Sequence, residues 1–108
     1  MRVAAKCYRV TRKFPKDEIF ALTSQIRRAA SRIPANIAEG FGRNNRSEYR
    51  HFVGIANGSL KELETHLLLS VMIEIAEKAE ADAILDECDE QGRMLAALIR
   101  SLEKPDSK

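Results

Sequence analysis

The sequence predicts an all-α fold, an up-down-up-down four-helix bundle, and three observations carry that prediction. Apolar residues recur at three- and four-residue spacing in four separate segments, and no stretch alternates as a strand does. Only five glycines and three prolines interrupt 108 residues, of which 44% are apolar. The links between the periodic segments are short, which favours antiparallel neighbours. A chain of this length forms one domain with one modest core. That domain is expected over residues 1–104, with 105–108 as a frayed tail.

The first helix is read over residues 2–13, with Val3, Cys7 and Val10 one turn apart and Phe14 closing the stripe. Pro15 ends it, because the residue before a proline avoids the helical region. Proline is at ease in a first helical turn, and Asp17 and Glu18 suit the positive helix end, so a second helix is read from Pro15–Lys16. Its stripe of Ile19, Leu22, Ile26, Ala29, Ala30, Ile33 and Ile37 keeps phase across Pro34. A break resets the phase whereas a kink preserves it, which predicts one helix kinked at Pro34 and ending near Gly40 as its C′ residue.

Asn45 is the expected N-cap of the third helix, with Glu48 three residues on. This helix is read from Arg46 to Ile75 on the stripe Tyr49, Val53, Ala56, Leu60, Leu63, Leu67 and Val71. The fourth, from Lys78 to Leu102, buries Ile84, Cys88, Leu95, Leu98, Ile99 and Leu102 and turns its charges outward. The link between the last two has neither Gly nor Pro and also reads as one longer helix. The break is set at Ala76–Lys78, where one stripe has ended and the next has not begun.

Helix 3 carries a second apolar face. At 100° per residue Ile55, Gly58, Leu69 and Ile73 fall opposite the core stripe, with Leu68 and Met72 between the two. A helix apolar nearly all round is buried all round, and one bundle buries one side. The face is therefore expected to pack on another subunit, with Gly58 allowing close backbone approach. The competing reading has Gly58 admitting a helix of its own bundle.

The net charge of +2 hides an asymmetry. Residues 1–50 carry 12 Lys/Arg against 4 Asp/Glu, and residues 51–108 carry 6 against 12. Either the halves neutralise each other on folding or a basic surface faces an anion. Arg28 and Arg32, one turn apart, repel and call for an acidic neighbour: Glu39, helix 4, another subunit or a phosphate. Arg27 lies on a different side. Arg43, Arg46 and Arg50 form a second group, and Arg9, Arg12, Lys13 and Lys16 a third. Without interleaved aromatics, such groups suit phosphate-backbone contact better than base stacking.

No catalytic constellation is legible. There is no Gly-rich phosphate loop and no G-x-S-x-G, and His51 and His66 stand about 22 Å apart along one helix, too far to share a metal. They read as surface histidines. Cys7 and Cys88 fall on core stripes and read as reduced, the alternatives being a disulfide or a metal pair. No cofactor is implied. No apolar run is long enough to span a bilayer and the N-terminus has no signal-like h-region, so a cytoplasmic protein without a membrane partner is expected.

The stretches "FPKDEIFALTSQIRRAASRIPANIAEGFGR" and "SEYRHFVGIANGSLKELETHLLLS" closely resemble the bacterial family named for proteins encoded in intervening sequences of 23S ribosomal RNA. The resemblance covers about residues 8–102 and is densest over Leu22–Gly42 and Ala56–Glu64. It implies a four-helix bundle assembling as a ring-like homopentamer. It also implies kinship with the accessory variability protein of diversity-generating retroelements, a basic barrel that binds nucleic acid and a reverse transcriptase. By that resemblance Arg27, Arg28, Arg32, Arg43 and Arg46 are candidate nucleic-acid contacts, to which the charge grouping adds Arg50. Asn36 and Glu39 match the family's "NIAEG" segment and read as polar anchors near the kink. Two departures stand out: the first helix is shorter than usual, and the helix 3–4 link lacks the usual Gly-Tyr-Leu-Ser.

Residues and resemblance together lead to a non-enzymatic oligomeric helical scaffold binding RNA or DNA backbone. The alternative is a protein-binding assembly adapter whose arginines form intersubunit ion pairs, without nucleic-acid activity.

Overall fold

In the computed structural model four α-helices carry the chain: α1 (Arg2–Thr11), α2 (Ser24–Phe41), α3 (Arg46–Met72) and α4 (Lys78–Glu103). The structure describes residues 1–103, apart from the side chains of Ile19 and Phe20. No strand occurs among the described residues. The tail expected at 105–108, Lys104 before it, and the place of Ile19 on the apolar stripe lie outside what is described.

Contacts between helices give the topology. Gly40 of α2 meets Tyr49 and Phe52 of α3, while Arg32 faces Glu62 two turns and more along. Arg50 reaches Glu103, and Leu60 lies against Gly92. Lys6 pairs with Glu87 and Lys13 with Glu80. Each neighbouring pair thus runs antiparallel, and α1 closes the bundle between α2 and α4. The result is 55 Å long and about 20 Å across, at 22 × 18 Å.

The core follows the stripes read from the sequence. Ile26, Ile33, Val53, Leu60, Leu63, Leu67 and Ile84 are fully enclosed. Cys7 and Cys88 are free thiols in that core, and burial pushes both up to about 12. Thiols so strongly held in the protonated form are poor nucleophiles and poor metal ligands. The periodicity missed Ala81, buried one turn ahead of Ile84, and the buried hydroxyls of Thr11, Ser59 and Ser70. Polar residues of this size enter a helical core by returning their hydrogen bond to the preceding turn. Thr11 donates to the Cys7 carbonyl at 2.7 Å and Ser70 to that of Leu67 at 2.7 Å.

α1 ends at Thr11, two residues short of the sequence reading, and three further element ends differ from it. The expected second helix does not run regularly from Pro15. Lys16–Glu18 forms a 3₁₀ turn and Ile19–Thr23 a wide π turn, in which Ala21 leaves helical geometry at φ −117°, ψ −105°. Regular α2 starts only at Ser24. The stripe concealed this, because Leu22 and Ile26 remain one turn apart and both remain buried.

Gly40 is not the C′ residue. α2 continues to Phe41 and is capped at Gly42, whose φ of −75° needs no glycine. Gly40 is instead buried against α3, where a Cβ would lie 2.8 Å from Phe52 Cβ. Its glycine serves helix approach rather than termination.

α3 ends at Met72, three residues earlier than the stripe implied. The Ile75 amide donates to the Ser70 carbonyl at 2.9 Å and the Glu74 amide to that of Val71 at 3.0 Å. This is a Schellman stop, which wants glycine at C′. Here Glu74 takes that place at φ 63°, the one non-glycine with positive φ among the described residues. A left-handed L-residue costs about 1–2 kcal/mol. Glu74→Gly is therefore expected to stabilise the fold by about 1 kcal/mol, raising the thermal midpoint by roughly 4–8 °C in calorimetry. An unchanged or lowered midpoint would contradict the assignment.

The N-terminal end of α3 matches expectation. Asn45 is extended, at φ −137° and ψ 124°, and its side-chain oxygen accepts from the Glu48 amide at 3.1 Å.

Candidate functional site

Two surfaces stand out, one apolar and one basic. The apolar one is the outer face of α3. Ile55, Leu68 and Leu69 are exposed, Ile73 is half exposed at 50% and Met72 is 78% exposed. These positions belong to a 27-residue helix whose other side is the best-buried part of the core. The bundle's own helices do not reach the outer face. A Cβ on Gly58 would meet nothing within 4 Å. The reading in which Gly58 admits a helix of its own bundle is therefore wrong; within this chain its close approach goes unused.

The face is not uniformly apolar. A shallow hollow around Gly58, lined by Lys61, Glu62, Thr65 and His66, separates Ile55 from the cluster of Leu68, Leu69, Met72 and Ile73. Glu62 leans across to Arg32 of α2, with Oε1 3.8 Å from Nη1. The surface offered is thus a central notch flanked by aliphatic ridges, with an ion pair on its α2 side.

The six arginines singled out for nucleic-acid contact do not form one cluster. Arg27 ties α2 to α1: its Nε donates to Thr11 Oγ1 at 2.8 Å, and its guanidinium lies over the Tyr8 ring at 4.7 Å. Arg28 is exposed and makes no ion pair among the described residues. Arg32, one turn on, has Glu62, the acidic neighbour its repulsion with Arg28 called for. Arg43 is held between Glu39 (2.6 Å) and Glu48 (3.7 Å), with its guanidinium 5.0 Å from the Phe52 ring centre. Arg50 donates to Glu103 through Nε at 3.1 Å. Arg46 is likewise engaged within the chain.

The charge asymmetry between the two halves is thereby partly resolved inside the fold. The last turn of α4 neutralises the start of α3, and Glu80 and Glu87 of α4 neutralise Arg2 and Lys6 of α1 and Lys13 just beyond it. The Lys6 ammonium holds the Glu87 carboxyl below the usual carboxylate range. Exposed pairs of this kind contribute at most about 1 kcal/mol each and are screened by salt.

Phe41, 76% exposed and edge-on to Tyr49 at 6.1 Å, adds an aromatic at the α2–α3 end that no periodicity signalled. No helix among the described residues is long and apolar enough to cross a membrane.

With this geometry in place, comparison with known proteins becomes specific. The family profile of the 23S rRNA-intervening sequence protein matches residues 1–97. The chain belongs to this family. A crystal structure of a protein of unknown function from the S23 ribosomal protein family of Bacteroides thetaiotaomicron superposes with a TM-score of 0.76. The two are 22% identical, and the match covers 90% of this chain and 97% of that one. At such identity the likeness speaks for the fold. The chain matches no curated protein.

Proposed function

We propose that this member of the 23S rRNA-intervening sequence family is a non-enzymatic oligomeric scaffold that binds RNA or DNA backbone through a basic surface. The observation that carries the reading is the uncovered outer face of α3. Five large apolar side chains stand exposed there around a glycine whose missing Cβ faces open space. Fully burying such a side chain contributes about 1.5–3 kcal/mol, so a second copy seated on this face has ample driving force.

In this reading copies close into a ring-like homopentamer, α2 is kinked at Pro34 to fit the ring, and the arginines repeat around the axis. The repeated field attracts polyanions, and a reverse transcriptase is a candidate protein partner. The reading makes the chain a cytoplasmic protein. A second reading, the assembly adapter, draws on the carboxylates beside Arg32, Arg43 and Arg50. Side chains that already engage carboxylates within one chain are suited to engage them between chains.

Charge reversal of Arg28 and Arg32 to glutamate separates the two readings. Light scattering and binding to a structured RNA are measured on the same preparation. Intact assembly with weakened RNA binding supports the scaffold; lost assembly supports the adapter. Wild-type protein that retains no RNA even at low salt would remove the nucleic-acid activity.

A further inference from the structure

We propose that the nucleic-acid phosphate backbone is taken by the outer face of α1, where Arg9 and Arg12 stand beside Tyr8 and Arg27, rather than by the α2–α3 link. The inference rests on the nucleic-acid reading above and assigns its contact surface.

Charge supply favours this face. Residues 1–16 hold six cations and no acid. α4, packed alongside, pairs two carboxylates with this segment, and Glu77 just ahead of α4 adds its field at Lys13. Glu87 takes Lys6 and Arg2, and Glu80 takes Lys13. Between them α4 presents Ala83, and Arg9 lines an α1–α4 groove whose one lining carboxylate, Glu80, is already paired with Lys13. Arg12 is exposed and likewise makes no ion pair among the described residues.

Arg9 and Arg12 are neighbours at i and i+3, a spacing at which like charges repel. An anion placed between them relieves that repulsion. At the α2–α3 link a phosphate would first have to displace Glu39, Glu48 or Glu103 from their arginines.

The same face holds an aromatic. The Tyr8 ring is 42% exposed and carries the Arg27 guanidinium on one side. Arg27 is fixed there by Thr11 and by the Tyr8 carbonyl at 3.5 Å, so it needs little ordering on binding. Tyr8 and Arg12 are one turn apart. The surface therefore combines a fixed cation, two unpaired cations and an accessible phenol within about two helical turns. Lys16 follows but has Asp17 and Glu18 next to it in sequence.

The test is fluorescence anisotropy with a structured RNA hairpin, and with a DNA duplex of equal length, between about 50 and 200 mM salt. Arg9→Gln/Arg12→Gln is compared with Arg43→Gln/Arg50→Gln, and Arg93→Gln on α4 serves as the control. Losing two phosphate contacts is expected to weaken binding roughly tenfold and to make the log–log salt slope shallower by about 2. Thermal midpoint and assembly are expected to hold. Loss confined to Arg43→Gln/Arg50→Gln would overturn the assignment while leaving the nucleic-acid reading intact. Wild-type protein that binds neither probe would overturn both. Dissociation of the assembly by Arg9→Gln/Arg12→Gln would also overturn it, since the face would then be meeting a second copy.

Discussion

If the proposed assembly forms through the outer face of α3, Leu69→Glu/Ile73→Glu is expected to leave folded monomers at micromolar concentration. Both side chains are already exposed within the chain, and Ile73 is the C-cap residue of α3, beyond its last full turn. Glutamate at these positions should cost the isolated bundle little, within about 0.5 kcal/mol. Against a sister copy the same change removes two aliphatic anchors and buries two carboxylates in each interface. Unpaired buried charges cost several kcal/mol each, enough to shift an association constant by orders of magnitude. Sedimentation gives the mass and circular dichroism shows whether helicity survives. Unchanged assembly would place the interface elsewhere, and a monomeric wild type would remove the scaffold reading.

Gly58→Ala sharpens the same test. With open space around it, the added methyl favours the monomeric helix by about 1 kcal/mol. A variant that is more stable as a bundle yet assembles less well would identify the notch as the point of closest approach.

The parts of this fold that were legible in the sequence are those set by burial. Val53, Leu60, Leu63 and Leu67 recur with helical spacing because one side of α3 packs against α2 and α4, and that requirement shapes composition directly. The exposed outer face was legible as well, since Leu69 and Ile73 break the polar pattern of a solvated helix.

What escaped the reading is set by backbone geometry. The π turn at Ile19–Thr23 leaves the apolar spacing intact, so no pattern reports it. The Schellman stop was hidden because Glu74 stands where a glycine would have signalled it. The partners of the arginines were illegible for a third reason. Arg50 and Glu103, or Lys13 and Glu80, are far apart in sequence and meet only through the antiparallel packing. Arg27 bonding to Thr11 has the same origin, since nothing in a helical wheel says which neighbour a flank will touch.

Gly40 shows how a correct residue can be assigned the wrong reason, and its substitution has a large expected effect on the fold. Replacing Gly40 with alanine favours an isolated helix by about 1 kcal/mol. In this bundle the new Cβ would fall 2.8 Å from Phe52 Cβ, 3.0 Å from Tyr49 Cδ1 and 3.2 Å from the Tyr49 carbonyl oxygen. Phe52 Cβ and the carbonyl are fixed to the α3 backbone, so they cannot swing aside as a side-chain tip would. Relief requires α2 and α3 to separate near the link, and overpacking of this kind costs about 1–3 kcal/mol.

The net expectation for Gly40→Ala is destabilisation despite the better helix former, by up to about 2 kcal/mol or roughly 15 °C in thermal midpoint for a domain of this size. Gly40→Val should be worse, because a β-branched side chain adds bulk at the same contact. Measurements at fixed protein concentration keep assembly from shifting the midpoint by mass action. Were Gly40 only a helix terminator, alanine at that position would leave the Tyr49 and Phe52 environments untouched. Were it an ordinary helical site, alanine would raise the midpoint. A lowered midpoint together with altered tyrosine fluorescence is the outcome that only the tight α2–α3 crossing predicts.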